Sequence, residues 1–554
     1  MSRNHPERKL RLLDRKGLPS LRKDGVTSLM FWGLALLIGC AAGWATLGFR
    51  IGISTLQTWI YGESDVQLAS AASQLPWFWV LVVPVIGGLV VGIILQRYTP
   101  DGRVRTVAHA IEGAALNNGK VEGKAGLASA VASFITLSTG GSSGREGPVV
   151  HLAAVISSKV SRLIKANGIT ARDLLGCAVA SAVAASFNAP IAGTIFAMEV
   201  VLRHYAVHSF GPIVLASVCG ALISRFGFGD ITEFTLPAHE LEFYVELPAF
   251  VLLGIVSGIV AVIMMKSIFL AEDWGDDWQQ RFRIPGWLRP AIAGLLLGSM
   301  AIWVPNIIGV GYETTFLALT GQITFWGAIG LAVVKVAAVA VTMAGRMGGG
   351  AFSPALMLGA LTGLAFGWVA TAVFPTVSGT LSLYALAGMG AVGAAVLGAP
   401  ISTTLIVFEM TGDWQTGLAV MLAVALSTSV AGKFVARSFF LEQLERRGVR
   451  LAAGPQAYLL ATLPVAGLMR GLDHPRMGSR ELCESLIAEG AYVNETSSLE
   501  AALPLFDGAT HQFLPVVSTN DQGEVEALLG TLFQVDALRA YSEAMAETVR
   551  EHHA

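Results

Sequence analysis

Residues 188–200 read NAPIAGTIFAMEV, and residues 398–410 read GAPISTTLIVFEM. At a constant offset of 210, Ala189/Ala399, Pro190/Pro400, Ile191/Ile401, Thr194/Thr404 and Glu199/Glu409 coincide, and the upstream pairs Ala184–Ala185 and Ala394–Ala395 keep that spacing. Matching alanines in an apolar chain carry little weight. A proline and a glutamate recurring nine residues apart in both copies mark an internal duplication. A looser correspondence links GSSGREGP at 141–148 with GGGAFSP at 348–354: both are glycine-rich, both end in proline, and both precede an apolar run. Their prolines lie 206 apart, close to the repeat offset.

The chain has 554 residues, 53% of them hydrophobic and 14% charged, against the quarter or so of charged residues in an ordinary soluble protein. Apolar tracts of spanning length fall near 29–59, 76–96, 172–202, 246–271, 322–344, 354–374 and 415–436. Shorter pieces at 125–138, 147–160 and 290–304 are bounded by Gly or Pro, and read as broken or re-entrant helices. The fold class is therefore an all-α membrane protein with two repeats, 28–226 and 246–440, joined by a linking region at 227–245. The acidic stretch 272–284 also reads as a loop between the halves. Residues 1–27 form a basic segment with Arg3, Arg8, Lys9, Arg11, Arg15, Lys16, Arg22 and Lys23, which predicts a cytoplasmic N-terminus. Arg446, Arg447 and Arg450 after the last apolar run predict a cytoplasmic C-terminus as well. The net charge of −2 gives no sign of nucleic acid as a partner, and Cys40, Cys177 and Cys219 read as small apolar fillers.

Residues 441–554 turn polar. FLPVV at 513–517, EALLGTLF at 526–533 and a helix over about 535–552 predict a small α/β domain outside the membrane.

Within the apolar core, GSSGREGP offers a tight turn followed by Pro148 in a first-turn position. Such a helix start presents unpaired N–H groups and a partial positive charge, an anion site without a buried cation. GGGAFSP offers the amides of Ala351, Phe352 and Ser353 in the same way. Close helix packing alone would explain the glycines but leaves Glu146 without a purpose. A carboxylate beside an anion site is itself an anion and can occupy that site; protonation would free it. Glu199 and Glu409, at symmetric places, read as caps on helix ends, and His151 as a locally satisfied histidine.

GREGP at 144–148, SFNAP at 186–190, GGGAFSP at 348–354 and FEMTGDW at 408–414 together resemble the CLC family of chloride channels and proton/chloride exchangers, over about residues 28–448. The resemblance implies a homodimer in membrane lipid with one pore per subunit, inorganic anions as partners, chloride as the permeant ion, no cofactor and no enzymatic step. It implies that Glu146 is the gate and that Arg145, Gly147, Ala351, Phe352 and Ser353 surround the anion sites. Three departures stand out. The family's GSGIP loop is replaced by Arg105–His109, leaving Thr106 for the serine hydroxyl; the pore tyrosine falls on Phe440; and the exchangers' internal proton-relay glutamate falls on Val200. Valine takes no proton, so the expectation is a gated channel, with a proton-coupled chloride or fluoride antiporter and a non-conducting sensor as alternatives. The tail from Ala491 to Tyr541 resembles one cystathionine-β-synthase-type module; Phe533 stands three residues before Asp536 where nucleotide-binding examples carry Ser or Thr, so a ligand-free, dimer-stabilising role is expected.

Overall fold

The computed structural model describes residues 28–166, 168–229, 246–375, 379–411, 417–449, 451, 459–460, 463–506, 512–519 and 525–552. The basic segment 1–27 and most of the linking region, 230–245, lie outside the described residues.

The first half runs through α1 (Ser28–Tyr61), α2 (Leu68–Gln74), α3 (Trp77–Tyr98), α4 (Val107–Ala115), α5 (Gly123–Ser138), α6 (Glu146–Leu163), α7 (Gly168–Phe187), α8 (Pro190–Phe196) and α9 (Val207–Phe228). The second runs through α10 (Leu247–Arg281), α11 (Arg289–Trp303), α12 (Tyr312–Leu319), α13 (Phe325–Ala344), α14 (Phe352–Val373), α15 (Leu381–Leu397), α16 (Pro400–Thr411), α17 (Gly417–Phe434) and α18 (Phe439–Arg446). Among the described residues eight helices are long and apolar enough to cross a membrane. The chain is a multi-pass integral membrane protein. Trp77, Trp303 and Trp326 lie at or beside helix ends and are largely exposed, as befits residues at the lipid–water boundary. α15 is the opposite case: Ser382 through Leu397 are all buried.

Three expectations change. The apolar tract 172–202 is not one span, because Asn188 turns left-handed at φ 54° and Pro190 starts a new helix, α8, whose end winds as a π-helix over Ala197–Leu202. Gly398 does the same at φ 67° ahead of Pro400. The two breaks are repeat-equivalent, with Asn and Gly supplying a backbone state few other residues tolerate. The acidic stretch 272–284 is not a loop through most of its length; α10 continues to Arg281, with Asp273 paired to Arg446 of α18 and Asp276 to Arg289 of α11 and to Arg346 beyond α13. And the piece at 290–304, expected to be a broken helix, belongs to a stretch, Gly286–Trp303, long and apolar enough to span, as is α9, whose Ser209, Ser217 and Ser224 are buried.

The repeats lock together through their glutamates. Glu409 accepts hydrogen bonds from the N–H groups of Ile191 (3.1 Å) and Ala192 (2.7 Å), at the start of α8. Glu199 accepts from Ile401 (3.1 Å) and Ser402 (2.8 Å), at the start of α16. Each carboxylate, near the end of its own helix, caps the beginning of the other. Only antiparallel neighbours can do this reciprocally, so the duplicated halves are inverted. The expected capping role is met, across the repeats.

Beyond α18 a four-stranded sheet has the order β1 (Arg470–Gly471), β4 (Val525–Phe533), β3 (Phe513–Thr519), β2 (Val493–Asn494). β3 and β4 are antiparallel, β2 joins β3 in parallel, and the helix Gln534–His552 follows β4. The tail touches the membrane core: Arg203 Nη1 bonds Glu500 Oε1 at 2.8 Å, and Asn118 Nδ2 donates to Thr496 Oγ1 at 3.0 Å.

Each of Glu199 and Glu409 satisfies two N–H groups, so Glu199→Ala or Glu409→Ala should cost about 1–3 kcal/mol and lower the unfolding temperature in detergent. Substitution without a thermal shift would deny the caps their structural role.

Candidate functional site

The two glycine-rich loops meet. Gly144 and Gly350 form an antiparallel bridge, the Gly144 N–H donating to the Gly350 carbonyl at 2.6 Å and the Gly350 N–H to the Gly144 carbonyl at 2.7 Å. Ser143 Oγ donates to the Gly348 carbonyl (3.1 Å), and the Gly348 N–H to Thr136 Oγ1 (3.0 Å). Glycine is required here: a Cβ on Gly144 would press on the Glu146 carboxylate and stand 3.1 Å from the Ser353 nitrogen, while Gly349 has φ 133°. The bridge brings the starts of α6 and α14 side by side.

Both helices then begin alike, with proline third: Glu146-Gly147-Pro148 and Phe352-Ser353-Pro354. The first helical bonds are Val149 N–H to the Arg145 carbonyl (3.3 Å) and Ala355 N–H to the Ala351 carbonyl (3.0 Å). The amides of Glu146 and Gly147 on one side, and of Ala351, Phe352 and Ser353 on the other, precede these bonds and carry the positive ends of two helix dipoles.

Glu146 is 4% exposed. Its Oε1 accepts the Ser353 hydroxyl at 2.5 Å, and its Oε2 has no hydrogen-bond partner among the described residues. The side chain of the first helix thus reaches to the start of the second. A cavity of about 20 Å³ adjoins it, lined in part by Thr106, Glu146, Gly147, Phe352 and Phe440; that is room for one water-sized particle. Its lining also includes Ala351, Phe187 and Phe439. A wider vestibule of about 100 Å³ follows, lined by Asp101, Arg103, His109, Asp276, Arg346 and Arg447 among others.

The predicted residues divide. Glu146, Gly147, Ala351, Phe352, Thr106 and Phe440 all line the small cavity, and Ser353 bonds Glu146. Arg145 does not line it: its Nη2 donates to the Ser186 carbonyl (3.3 Å) and to Tyr312 Oη (3.0 Å), with the guanidinium 4.8 Å from the Tyr312 ring centre. Val200 is buried in the π-helical end of α8 and lines neither cavity. Thr106 keeps its hydroxyl at the cavity, but its backbone N–H is taken by His109 Nδ1 at 3.0 Å. His151, expected to be satisfied locally, has no hydrogen-bond partner among the described residues; its ring stands edge-on to that of His109, 5.9 Å between centroids.

Positive charge collects at the vestibule but is neutralised there. Asp276 pairs with Arg103 (2.8 Å), Arg346 (2.9 Å) and Arg289, while Arg446 pairs with Asp273 (2.8 Å) and Arg447 with Glu112 (3.4 Å). Arg105 bonds both Asp101 (2.9 Å) and Glu122 (2.9 Å). Burial raises the pKa of Asp101, in the loop after α3, but hydrogen bonding and charge from Arg105 outweigh it and hold the carboxyl below its ordinary value.

The sequence model of the voltage-gated chloride channel family matches residues 87–432. This chain belongs to that family. A ClcB-like chloride channel protein of Ralstonia nicotianae is 32% identical over 421 residues, covering 74% of this chain and 96% of the relative. Two solved structures share the fold: a slow cyanobacterial Cl−/H+ antiporter (TM-score 0.67, 21% identity, 75% of this chain and 97% of the other) and a CLC-type fluoride/proton antiporter (TM-score 0.61, 19% identity, 75% and 98%). CLC proteins are anion channels or proton/anion antiporters, and this chain is one or the other.

Gln443, which lines both cavities one turn beyond Phe440, was not singled out from the sequence; its spacing of three from Phe440 on α18 was the available signal. Since Phe440 is buried against the small cavity and has no hydroxyl, Phe440→Tyr should add one donor there. A hydrogen bond to an anion contributes about 1.5–3 kcal/mol, so calorimetry should find chloride bound at least tenfold more tightly. Unchanged affinity would remove Phe440 from the ion's surroundings.

Proposed function

We propose that this CLC protein is a gated channel for chloride, its flux controlled by protonation of Glu146. The observation that carries the reading is the bond from the Ser353 hydroxyl to Glu146, which puts a carboxylate at the convergence of two helix starts. A charged Glu146 competes with a permeant anion for those donors. A protonated Glu146 releases them, so flux rises as pH falls. The amides of Gly147, Ala351, Phe352 and Ser353 and the hydroxyl of Thr106 are the ion's partners in this scheme. Arg145 contributes long-range charge, because it does not line the cavity and its Nη2 is held by the Ser186 carbonyl and Tyr312.

Uncoupled conduction is preferred because the family's internal proton-relay position is Val200, buried and without a titratable atom. Antiport of chloride or fluoride against protons is the second reading. It is favoured by the two solved relatives, both antiporters.

The scheme extends to a homodimer in the cell membrane with both termini cytoplasmic. Ile191 and Ile401, repeat-equivalent residues on the paired α8 and α16, are each about half exposed and suit either lipid or a second copy. The sheet domain is read as a ligand-free module of the cystathionine-β-synthase type: Phe533, not a hydroxyl residue, stands before Asp536, and Asp536 is paired with Arg470 at 2.7 Å.

Reconstitution in liposomes tests this. Glu146→Gln should conduct faster than the parent at neutral pH and lose its pH dependence; a retained pH dependence would remove the gate from position 146. The reversal potential should ignore an imposed pH gradient, and a reversal that moves with the gradient would select the antiporter.

A further inference from the structure

The small cavity beside Glu146 and the vestibule have four lining residues in common: Thr106, Met343, Gly349 and Gln443. An ion passing between the two spaces passes this ring. Only Thr106 and Gln443 bring polar side chains to it, one from the residue capping α4 and one from α18, and they touch: Thr106 Oγ1 donates to Gln443 Oε1 at 3.5 Å. A bond this long is weak and opens readily. The Thr106 amide is held by His109, and its hydroxyl has only the long contact to Gln443, which an arriving ion can replace. Gln443 Nε2, with two hydrogens to give, has no hydrogen-bond partner among the described residues. Three residues before it on the same helix, Phe440 presents a ring without a donor to the same cavity.

We propose that Gln443 is a specificity-determining residue of the pore: its carboxamide closes the ring against Thr106, and its Nε2–H groups donate to a small inorganic monoanion standing there, in the place a hydroxyl at position 440 would otherwise serve. This rests on the conduction route proposed above. A neutral amide suits the position, since it binds an anion without holding it as a fixed cation would. It also ranks anions, because a short, directed donor favours compact halides over a larger, charge-delocalised ion such as nitrate.

The test uses the full chain in liposomes and detergent, with sodium chloride and sodium nitrate as probes. Gln443→Leu should weaken chloride binding by about tenfold or more, the equivalent of one hydrogen bond to an anion, and lower the chloride-to-nitrate flux ratio. Phe440→Tyr placed in the same chain should restore chloride binding, a rescue that a packing role for Gln443 does not predict. Gln443→Glu, which preserves the shape, covers the case of a leucine variant that does not fold; its carboxylate should cut chloride flux at least tenfold at neutral pH. Unaltered chloride affinity and flux ratio in Gln443→Leu, or undiminished flux in Gln443→Glu, would overturn the assignment while Glu146→Gln still responds. Absence of flux in the parent chain and in Glu146→Gln alike would instead bring down the conduction route, and this assignment with it.

Discussion

The rest of the core depends on two hydrogen bonds between backbone groups, those that join Gly144 to Gly350. They hold together two helix starts that would otherwise repel, since each carries a partial positive charge of roughly half a unit. Both prolines fall at the third helical position and remove an N–H that would compete for the same space. What remains is a concentrated set of amide donors with no helical partners. Such a set is costly to leave empty in an apolar interior, and Glu146 occupies it through Ser353. Attraction of the carboxylate to the site and attraction of a permeant anion to the site are one and the same physical term. Under the proposed scheme gating would need no large motion, only a change in which anion holds the donors.

The second constraint is the exchange of caps between the repeats. Glu199 and Glu409 each use both oxygens on N–H groups of the opposite half. This orders α8 and α16 against one another and explains why a proline and a glutamate nine residues apart survive as the clearest repeat signal. The proline starts a helix and the glutamate closes the partner's start. It also bears on proton movement. The carboxylate beside Val200 has both oxygens on N–H groups of the other repeat, and Val200 itself lines neither cavity, which supports the uncoupled reading proposed above.

Much of this was legible in the sequence because it depends on local chemistry. Gly-rich loops ahead of a proline announce helix starts whatever surrounds them, and a glutamate inside one of them has few purposes other than to interact with its donors. What could not be read depends on side-chain direction and on breaks with no strong local mark. Asn188 adopts a left-handed turn within an unbroken apolar run, so hydropathy counted 172–202 as one span. Arg145 adjoins Glu146 in sequence, yet its guanidinium goes to Tyr312, 167 residues away. Residues 272–281 looked like a loop because they are acidic; they remain helical because Asp273 and Asp276 are matched by arginines from α18, from α11 and from the segments before α4 and after α13. Gln443 is faint in sequence: its spacing of three from Phe440 is the one signal, and an amide in an amphipathic helix ordinarily faces water.

The distribution of positive charge bears on how the proposed pore would bind an ion and still release it. The arginines that line the vestibule, Arg103, Arg289, Arg346, Arg446 and Arg447, are all paired with carboxylates. One carboxylate, Asp276, serves three of them, Asp101 and Glu272 also line the vestibule, and none of these arginines stands as an isolated cation. Among the residues lining the small cavity there is neither lysine nor arginine. On the proposed route an anion would move from a region of paired charges to one of neutral, directed donors: amides, a hydroxyl, a carboxamide. Each such donor contributes about 1.5–3 kcal/mol, enough in combination to replace part of a hydration shell. A buried, unpaired guanidinium would instead hold the ion with a Coulomb term that low dielectric makes several times larger, and the ion would become a fixed part of the protein. Keeping the guanidinium of Arg145 on Tyr312 and outside the cavity follows from the same requirement, because a cation on the path would bind the Glu146 carboxylate permanently and leave protonation nothing to release.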